Sequence, residues 1–279
     1  MTASASQPVD WQEHSRSFNR VADLYDAHRP DYPEALVESV IALAGLRPGS
    51  RILEIGSGTG KATAPFARRG FSILCIEPGH NLAAVAARKF ADYPAVAFEA
   101  VPFEDWPERQ GEFDLVMAAQ AFHWVPKEIG YAKAARALKL GGHLALFWNR
   151  DPDLQGQIFS DLEQVYRERA PELFDTPTAC EERENQRTLD DITASGCFGP
   201  VRMKKFPWSV RYDARQYLGL LNTYSDHLAL PEATRASLFE GVAEVIERHG
   251  GTIERPYVAV LYVAEKALTH NPSPNTGGE

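Results

Sequence analysis

The chain has 279 residues, of which 44% are hydrophobic and 24% are charged, and its formal net charge is −9. This length suits one α/β domain with insertions, and the acidic charge argues against nucleic acid or an anionic membrane as the main partner. Residues 1–10 lack the basic start and apolar run of a signal peptide, and no apolar run reaches the ~18 residues of a membrane span, so we expect a cytoplasmic protein.

The three cysteines, Cys75, Cys180 and Cys197, are scattered along the chain. They indicate neither a disulfide framework nor a Cys-x-x-Cys metal site, and no cluster of His, Asp or Glu has the spacing of metal ligands. We therefore expect no metal cofactor. The sequence leaves open whether the protein is a monomer or a homodimer.

The N-terminal segment combines a polar start with a helical pattern. The composition of residues 1–9 predicts a disordered start, and residues 10–45 are predicted to form a helical cap. Within this cap we expect a short helix that ends near His28 and a second helix that begins at Pro33, because proline is well tolerated at the first helical position.

The strongest functional signal is a glycine-rich turn after the first predicted strand. Residues 51–55 are typical of a strand, three glycines follow at alternate positions in residues 56–60, and a segment with helical spacing comes next. Since glycine lacks Cβ, the backbone can adopt positive φ, and a ligand can approach the unpaired N–H groups at the helix start. This pattern predicts a ligand-binding strand, turn and helix.

Two nucleotide-type ligands compete for such a turn. A dinucleotide requires Gly-x-Gly-x-x-Gly, but the third glycine position is Lys61, so an NAD(P)-dependent oxidoreductase is the weaker alternative. The pattern Glu54-x-Gly56-x-Gly58-x-Gly60 instead resembles motif I of the class I S-adenosylmethionine (SAM)-dependent methyltransferases, which implies SAM as the cofactor. The resemblance assigns five residues to cofactor binding: Glu54, Gly56, Ser57, Gly58 and Gly60.

The second predicted strand, residues 71–76, also ends in a candidate cofactor contact. Glu77 follows Gly56 by 21 residues, close to the ~20 at which an acid can accept hydrogen bonds from ribose hydroxyls. Solvent exposure is the alternative for Glu77 taken alone. Together with the glycine turn, the spacing predicts that Glu77 and the adjacent Pro78 contact the cofactor.

The alternation of strands and helices continues to about residue 150. Residues 95–99, 112–118 and 143–148 are predicted strands. The Leu-Gly-Gly sequence at residues 140–142 resembles a signature of the same fold, with leucine where proline is usual. We predict an α/β fold with a doubly wound, mostly parallel, seven-stranded sheet, Rossmann-like, which binds ligands at the carboxyl ends of its strands.

Two further loops at this sheet edge are assigned by the resemblance. In class I methyltransferases the loop after strand three meets the adenine, which implies contacts for Phe103 and Glu104. Residues 119–124 lack the Asn/Asp-Pro-Pro-Tyr/Phe sequence that is common in methyltransferases of DNA bases and glutamine amides. Those substrates are therefore disfavoured, and Gln120 is assigned to the cofactor.

The Ala-Phe-His-Trp string at residues 121–124, together with Phe18, Tyr25 and Arg29, resembles a subgroup that includes trans-aconitate and cantharidin methyltransferases. In such relatives the cap folds over the cofactor, which implies that Tyr25 and Arg29 meet the methionine tail. Arginine suits a carboxylate because its planar fork forms bidentate hydrogen bonds. A surface ion pair for Arg29 and core packing for Tyr25 are equally open.

The group needed for catalysis depends on the acceptor. A carboxylate is ionised near neutral pH and needs no base, whereas for a hydroxyl or phenol His123 is the best base in the sequence. A structural role for His123 is also open. Candidate substrate contacts have core packing or surface ion pairs as their alternatives; they are Trp124, Trp148, Arg150, Tyr224 and His227.

Beyond residue 150 the regular alternation stops. We predict helical insertions that form a substrate lid over the SAM-binding core, and two later strands that close the sheet. The predicted division is a core at 46–150, lid insertions at 151–197 and 213–252, closing strands at 198–212 and 253–268, and a disordered tail at 269–279.

We therefore expect a methyltransferase that acts on a small molecule at a carboxylate or hydroxyl oxygen, by in-line transfer from SAM. C- or N-methylation and SAM-dependent cyclisation are alternatives on the same fold.

Overall fold

The computed structural model describes residues 22–174 and 181–268. The predicted disordered start and tail, and the first part of the cap, lie outside these residues. The described residues form a seven-stranded sheet in the order β3-β2-β1-β4-β5-β7-β6. The strands are β1 (Arg51–Ile55), β2 (Ser72–Ile76), β3 (Val96–Glu99), β4 (Phe113–Ala119), β5 (Leu138–Arg150), β6 (Arg202–Asp213) and β7 (Thr252–Glu265).

The first five strands are parallel and alternate with helices, as the apolar runs and intervening helical patterns predict. This confirms the predicted doubly wound, mostly parallel sheet. The helices of this half are α1 (Ala22–His28), α2 (Glu34–Leu43), α3 (Thr63–Ala67), α4 (His80–Lys89) and α5 (Lys127–Ala137), with a short 3-10 helix at Phe122–Trp124.

The last two strands are antiparallel to their neighbours. β7 pairs with β5 from Val258, which lies opposite Arg150, to Glu265. The residues of β7 before Val258 pair with β6 alone. Because β7 runs against β5, its first residues extend beyond the carboxyl ends of the parallel strands. This extension carries the later helices on the same side as the glycine turn.

The later helices differ in detail from the predicted pattern. They are α6 (Gln157–Arg169), α7 (Pro171–Phe174), α8 (Glu181–Ala194), α9 (Ala214–Leu221), α10 (Ser225–Ala229) and α11 (Glu232–Arg248). α8 lies within the insertion predicted at 151–197. In the insertion predicted at 213–252, α9 and α10 are separate helices. The Thr223 hydroxyl donates a 2.6 Å hydrogen bond to the Leu220 carbonyl, and the chain turns there.

Two hydrophobic clusters cover the opposite faces of the sheet, and alternate strand residues enter each one. Leu53 and Leu146 belong to one face, whereas Ile52 and Phe147 belong to the other. A third cluster lies where β6 and β7 extend beyond the parallel strands. Residues of α6, α9 and α11 build it.

The cap packs closely against the helices that follow β6. A Cβ placed on Gly219 of α9 would come within 2.4 Å of the His28 ring of α1. Lys89 of α4 donates a 2.8 Å hydrogen bond to Asp26 of α1. This bond ties α1 to a helix of the parallel half. The cap is therefore held from two sides, at the edge where the strands end.

Across residues 22–174 and 181–268, no helix combines the length and apolar character needed to cross a bilayer. Within the same part of the chain, no group of three His, Cys, Asp or Glu side chains is arranged to hold a metal ion.

Candidate functional site

A cavity of about 290 Å³ opens at the carboxyl ends of the parallel strands. Its wall comes from the ends of β1, β2 and β4, the loop after β3, and the cap. Eleven of the residues predicted for the site line it: Tyr25, Arg29, Gly56, Gly58, Glu77, Pro78, Phe103, Glu104, Gln120, His123 and Trp124.

The turn after β1 exposes main chain to this cavity. Gly56 and Gly58 have φ of +68° and +57°, a region that favours glycine. A Cβ on Gly56 would come within 2.4 Å of the Ala121 Cβ, so the segment after β4 packs directly on this residue. At Gly58 the nearest atom to an added Cβ is 3.9 Å away, on the Tyr25 ring, so the space beyond Gly58 belongs to the cavity.

The third glycine of the motif has a different role from the one predicted. A Cβ on Gly60 would come within 2.3 Å of the Phe90 ring at the end of α4. Gly60 is absent from the lining of the cavity, and we attribute its requirement to close packing of the turn on α4.

Glu77 is buried at the end of β2 and both of its carboxylate oxygens accept main-chain hydrogen bonds. Gly58 N–H donates to Oε2 and Gly79 N–H donates to Oε1, each at 2.8 Å. Burial raises the pKa of Glu77 to about 7, although the two hydrogen bonds oppose that rise. The charge of this carboxyl is therefore nearly balanced between its two forms at neutral pH.

Glu54 lies behind the glycine turn, beside a smaller cavity of about 40 Å³ that adjoins the first. Its Oε2 accepts a 2.6 Å hydrogen bond from the Thr63 hydroxyl, whereas Oε1 has no partner among the described residues. Burial raises the pKa of Glu54 to about 8, so it is mostly protonated at neutral pH. The Ser57 hydroxyl beside it also lacks a partner within the described chain.

Arg29 extends from the cap between two aromatic rings. Its guanidinium lies 4.2 Å from the Tyr224 ring centroid and 5.3 Å from that of Tyr25, and Nη2 donates a 2.9 Å hydrogen bond to the Thr223 carbonyl. Cation–π contacts of this kind hold a guanidinium in place. Tyr224, predicted as a substrate contact, is thus found behind Arg29 and not in the cavity lining.

The segment after β4 brings His123 and Trp124 to the cavity. Trp148 of β5 is buried, and its Nε1–H donates a 3.3 Å hydrogen bond to His123 Nδ1. His123 is exposed on the cavity side, but desolvation on its protein side, followed by the charges of Arg150 and Arg187, lowers its pKa to about 4. Trp148, a predicted substrate contact, therefore contacts His123 from the core and does not line the cavity.

Gln120 has an unusual backbone at this site. Its φ is +57°, which is uncommon for a residue with a Cβ, and its N–H donates a 3.0 Å hydrogen bond to the Phe147 carbonyl of β5. Strain of this kind concentrates at functional sites. Its side-chain amide also reaches the Asn149 carbonyl at 3.5 Å.

Two other predicted substrate residues have partners away from the cavity. Arg150 forms an ion pair with Glu184 of α8 and lies over the Trp148 ring. His227 is buried, with Nε2 at 2.7 Å from the Tyr166 hydroxyl and Nδ1 at 2.7 Å from Asp226. Arg150 ends β5 and His227 lies in an inserted helix, and both positions suggested a place at the edge of the site. Neither residue lines the cavity.

The sequence interpretation missed the apolar part of the lining, which includes Ile76, Leu82 and Pro102. Leu82 lies in the first turn of α4, just after the Glu77-Pro78 pair. Its proximity to that pair was the available signal, but a leucine in an amphipathic helix is far more often a core residue.

Comparison with known proteins agrees with this geometry. Residues 52–142 match the model of a family described as a methyltransferase domain. Residues 52–142 form a methyltransferase domain. The match begins within β1 and ends at the start of β5, so it includes the glycine turn, Glu77 and the segment after β4.

Two relatives extend the similarity over most of this methyltransferase. An uncharacterised methyltransferase-like protein of Schizosaccharomyces pombe is 29% identical over 256 residues, which cover 88% of this chain and 93% of that protein. An uncharacterised methyltransferase of Mycobacterium tuberculosis is 24% identical over 254 residues, which cover 90% of this chain and 94% of that protein.

Solved structures share the fold of the methyltransferase. A candidate type II methyltransferase of Anaeromyxobacter dehalogenans has a TM-score of 0.61 at 24% identity, covering 86% of this chain and 97% of that chain. A phosphoethanolamine N-methyltransferase of Haemonchus contortus, solved with phosphomonomethylethanolamine and S-adenosylhomocysteine, has a TM-score of 0.54 at 13% identity and covers 96% of this chain and 62% of that chain.

Proposed function

We propose that this methyltransferase uses SAM to methylate a small molecule at an oxygen, either a carboxylate or a hydroxyl, and releases S-adenosylhomocysteine. One observation carries the proposal. The cavity of about 290 Å³ joins exposed main chain at Gly58, the buried carboxyl of Glu77 and the His123–Trp124 wall in one continuous space. A cofactor that lies along the turn thus has an open region beside it for an acceptor.

The residues of the cavity fit this cofactor. Ribose hydroxyls can donate to Glu77, whose carboxylate oxygens keep free lone pairs beyond their main-chain hydrogen bonds. The methionine tail carries a carboxylate and an amino group, which suit Arg29 and the unpartnered polar atoms of Glu54 and Ser57. Phe103 and Glu104, at the far end of the lining, are proposed to meet the adenine.

When bound, SAM supplies a methyl group that is already activated by its positive sulfur. The protein's task is to position the acceptor behind that methyl group and to exclude water. The Tyr25 ring and Arg29 close the cap side of the cavity, while Trp124 and His123 form the wall beyond β4. We propose that these four side chains orient the acceptor and shield it.

An oxygen acceptor is supported by two findings. A malonyl-[acyl-carrier protein] O-methyltransferase of Geobacter sulfurreducens is 27% identical over 194 residues, which cover 67% of this chain and 69% of that protein. Residues 119–124 also lack the Asn/Asp-Pro-Pro-Tyr/Phe sequence that is common in methyltransferases of ring and amide nitrogens. The resemblance to trans-aconitate and cantharidin methyltransferases is part of this proposal.

Calorimetry with SAM, and separately with NAD⁺, tests the cofactor assignment. We expect heat with SAM only, and Glu77→Ala should weaken binding at least tenfold, since two hydroxyl contacts to a charged group are worth ~1.5–3 kcal/mol each. Glu112→Ala is the matched control, because Glu112 is an acid paired with Arg51 away from the cavity. Absence of heat with SAM would refute the proposal. An assay for S-adenosylhomocysteine, with methylthioadenosine as the competing product, then separates methyl transfer from other uses of the cofactor.

A further inference from the structure

His123 occupies an unusual position between the cavity and the core. The 3-10 helix that follows β4 directs its ring to the cavity, and the neighbouring strand β5 brings Trp148 up behind it. The indole Nε1–H of Trp148 donates to His123 Nδ1 at 3.3 Å. Trp148 is itself fixed, because it is buried and its ring meets Tyr262 edge-on at 5.8 Å between centroids.

This contact determines which nitrogen of His123 carries the proton. An indole nitrogen can only donate, so Nδ1 must offer a lone pair, and the proton of a neutral imidazole must then be on Nε2. A second proton on Nδ1 would set two N–H groups against each other. The charged groups that face the ring from β5 and α8, Arg150 and Arg187, also disfavour an imidazolium.

We propose that neutral His123 donates a hydrogen bond from Nε2–H to the oxygen of the methyl acceptor, and that Trp148 is the positioning residue that fixes this tautomer. The inference rests on the proposed function, because the oxygen belongs to the acceptor of that reaction. It assigns His123 a role as donor, where the sequence suggested a base, and it gives Trp148 a role that its burial alone does not require.

The same geometry excludes His123 as the base. To accept a proton at Nε2, the ring would have to carry its other proton on Nδ1, against the Trp148 N–H. An acceptor oxygen that is already ionised fits this site best, because it needs no base. A lone pair of that oxygen forms the new O–C bond, the S–C bond breaks with its electron pair left on sulfur, and no proton is transferred. The acceptor class that fits is an acid that is ionised at neutral pH.

The tautomer can be measured directly by ¹⁵N NMR of protein labelled at histidine, with His123→Gln used to assign the signals. We expect Nδ1 to resonate as a bare, pyridine-like nitrogen and Nε2 as a protonated one, with no titration of His123 between pH 5 and 8. Titration with a midpoint near 6.5, or a proton on Nδ1, would overturn the proposal. The NMR measurement needs no SAM. Failure of SAM binding would therefore refute the proposed function and leave the tautomer result intact.

Two variants test the part played by Trp148. Trp148→Phe keeps an aromatic ring but removes the N–H, so we expect the Nδ1 signal to shift and the His123 titration to move towards neutral pH. Trp208→Phe is the matched control. The Nε1–H of Trp208 donates at 3.1 Å to Asn149, which lies on β5 next to Trp148, and not to His123. Equal effects of the two variants would contradict the role of Trp148. The wild-type titration stays decisive if Trp148→Phe is unstable.

The donor role is tested by NMR on protein loaded with S-adenosylhomocysteine. Benzoate serves as an ionised probe, and benzyl alcohol is its neutral counterpart. We expect benzoate to shift the Nε2–H signal of His123 more than benzyl alcohol does. His123→Gln, whose amide N–H can occupy the place of Nε2–H, should bind benzoate within about threefold of wild type, whereas His123→Ala should bind it ~10-fold or more weakly. Equal loss in both variants, or no shift with benzoate, would refute the donor role.

Discussion

The main-chain N–H of Gly58 donates a 2.8 Å hydrogen bond to the Glu77 carboxylate. These residues come from turns after two different strands, and β1 and β2 are adjacent and parallel in the sheet. The bond makes the glycine turn and the strand-end acid one unit, so that changes in the charge of Glu77 act directly on the surface proposed to hold SAM. Four predictions follow from this unit and its surroundings.

Cofactor affinity should depend on pH through Glu77. Its pKa in the free protein is raised to about 7, and ribose hydroxyls are donors that prefer the ionised form. Affinity should therefore be full above pH 8 and fall as pH drops through 7, by about tenfold at one unit below the pKa. Calorimetry with S-adenosylhomocysteine between pH 6 and 8 measures this. Glu77→Gln should bind weakly at every pH, and a pH dependence that survives in this variant would contradict the assignment.

Stability should fall as pH rises, because of two buried acids. The pKa values of Glu54 and Glu77 are raised from 4.5 to about 8 and about 7, so between pH 5 and 7 the folded protein binds more protons than the unfolded chain. Each such acid lowers the free energy of unfolding by roughly 1.4 kcal/mol per pH unit in that window.

Glu54→Gln isolates one of these contributions. The amide oxygen can still accept the hydrogen bond from Thr63, while the group no longer ionises. Urea denaturation at pH 5.5 and pH 8 should therefore show a smaller loss of stability in Glu54→Gln than in wild type. An equal loss in both proteins would mean that Glu54 is ionised throughout.

Gly58→Ala should weaken SAM binding more than it weakens the fold. At φ of +57° an added Cβ costs roughly 1 kcal/mol of backbone strain but meets only the Tyr25 ring, at 3.9 Å. The new methyl group would occupy the surface along which the cofactor is proposed to lie. Gly45→Ala is the control, since Gly45 has φ of +60° and nothing within 4 Å of an added Cβ. Thermal melts should match in the two variants, and calorimetry should separate them; equal SAM affinity would count against the turn as the binding surface.

Tyr224 should affect cofactor binding without lining the cavity. Its ring lies 4.2 Å from the Arg29 guanidinium, a contact worth about 1–2 kcal/mol when shielded from water. Tyr224→Phe keeps the ring and should bind SAM like wild type, whereas Tyr224→Ala should bind it roughly 5- to 30-fold more weakly. Circular dichroism confirms that both variants are folded before calorimetry compares them. Equal affinity of the folded Ala variant would show that Arg29 needs no support from Tyr224.

Local patterns in the sequence were sufficient for the parallel half of the sheet and for much of the cavity. Apolar runs, alternate glycines and the 21-residue separation of Gly56 and Glu77 all depend on neighbours in the chain. A turn with positive φ and an acid at a strand end are consequences of such short-range chemistry. For this reason, Gly56, Gly58 and Glu77 could be named in advance as residues of the cavity.

The direction of individual side chains depended instead on which elements became neighbours. Gly60 fits the motif but faces Phe90, because α4 packs on the turn. Trp148 meets His123 only because β5 lies beside β4 in the register that pairs Phe147 with Ala119. Tyr224 supports Arg29 from 195 residues away because the helices after β6 fold back onto the cap. These contacts arise from packing between distant segments, which the spacing of residues along one chain does not encode.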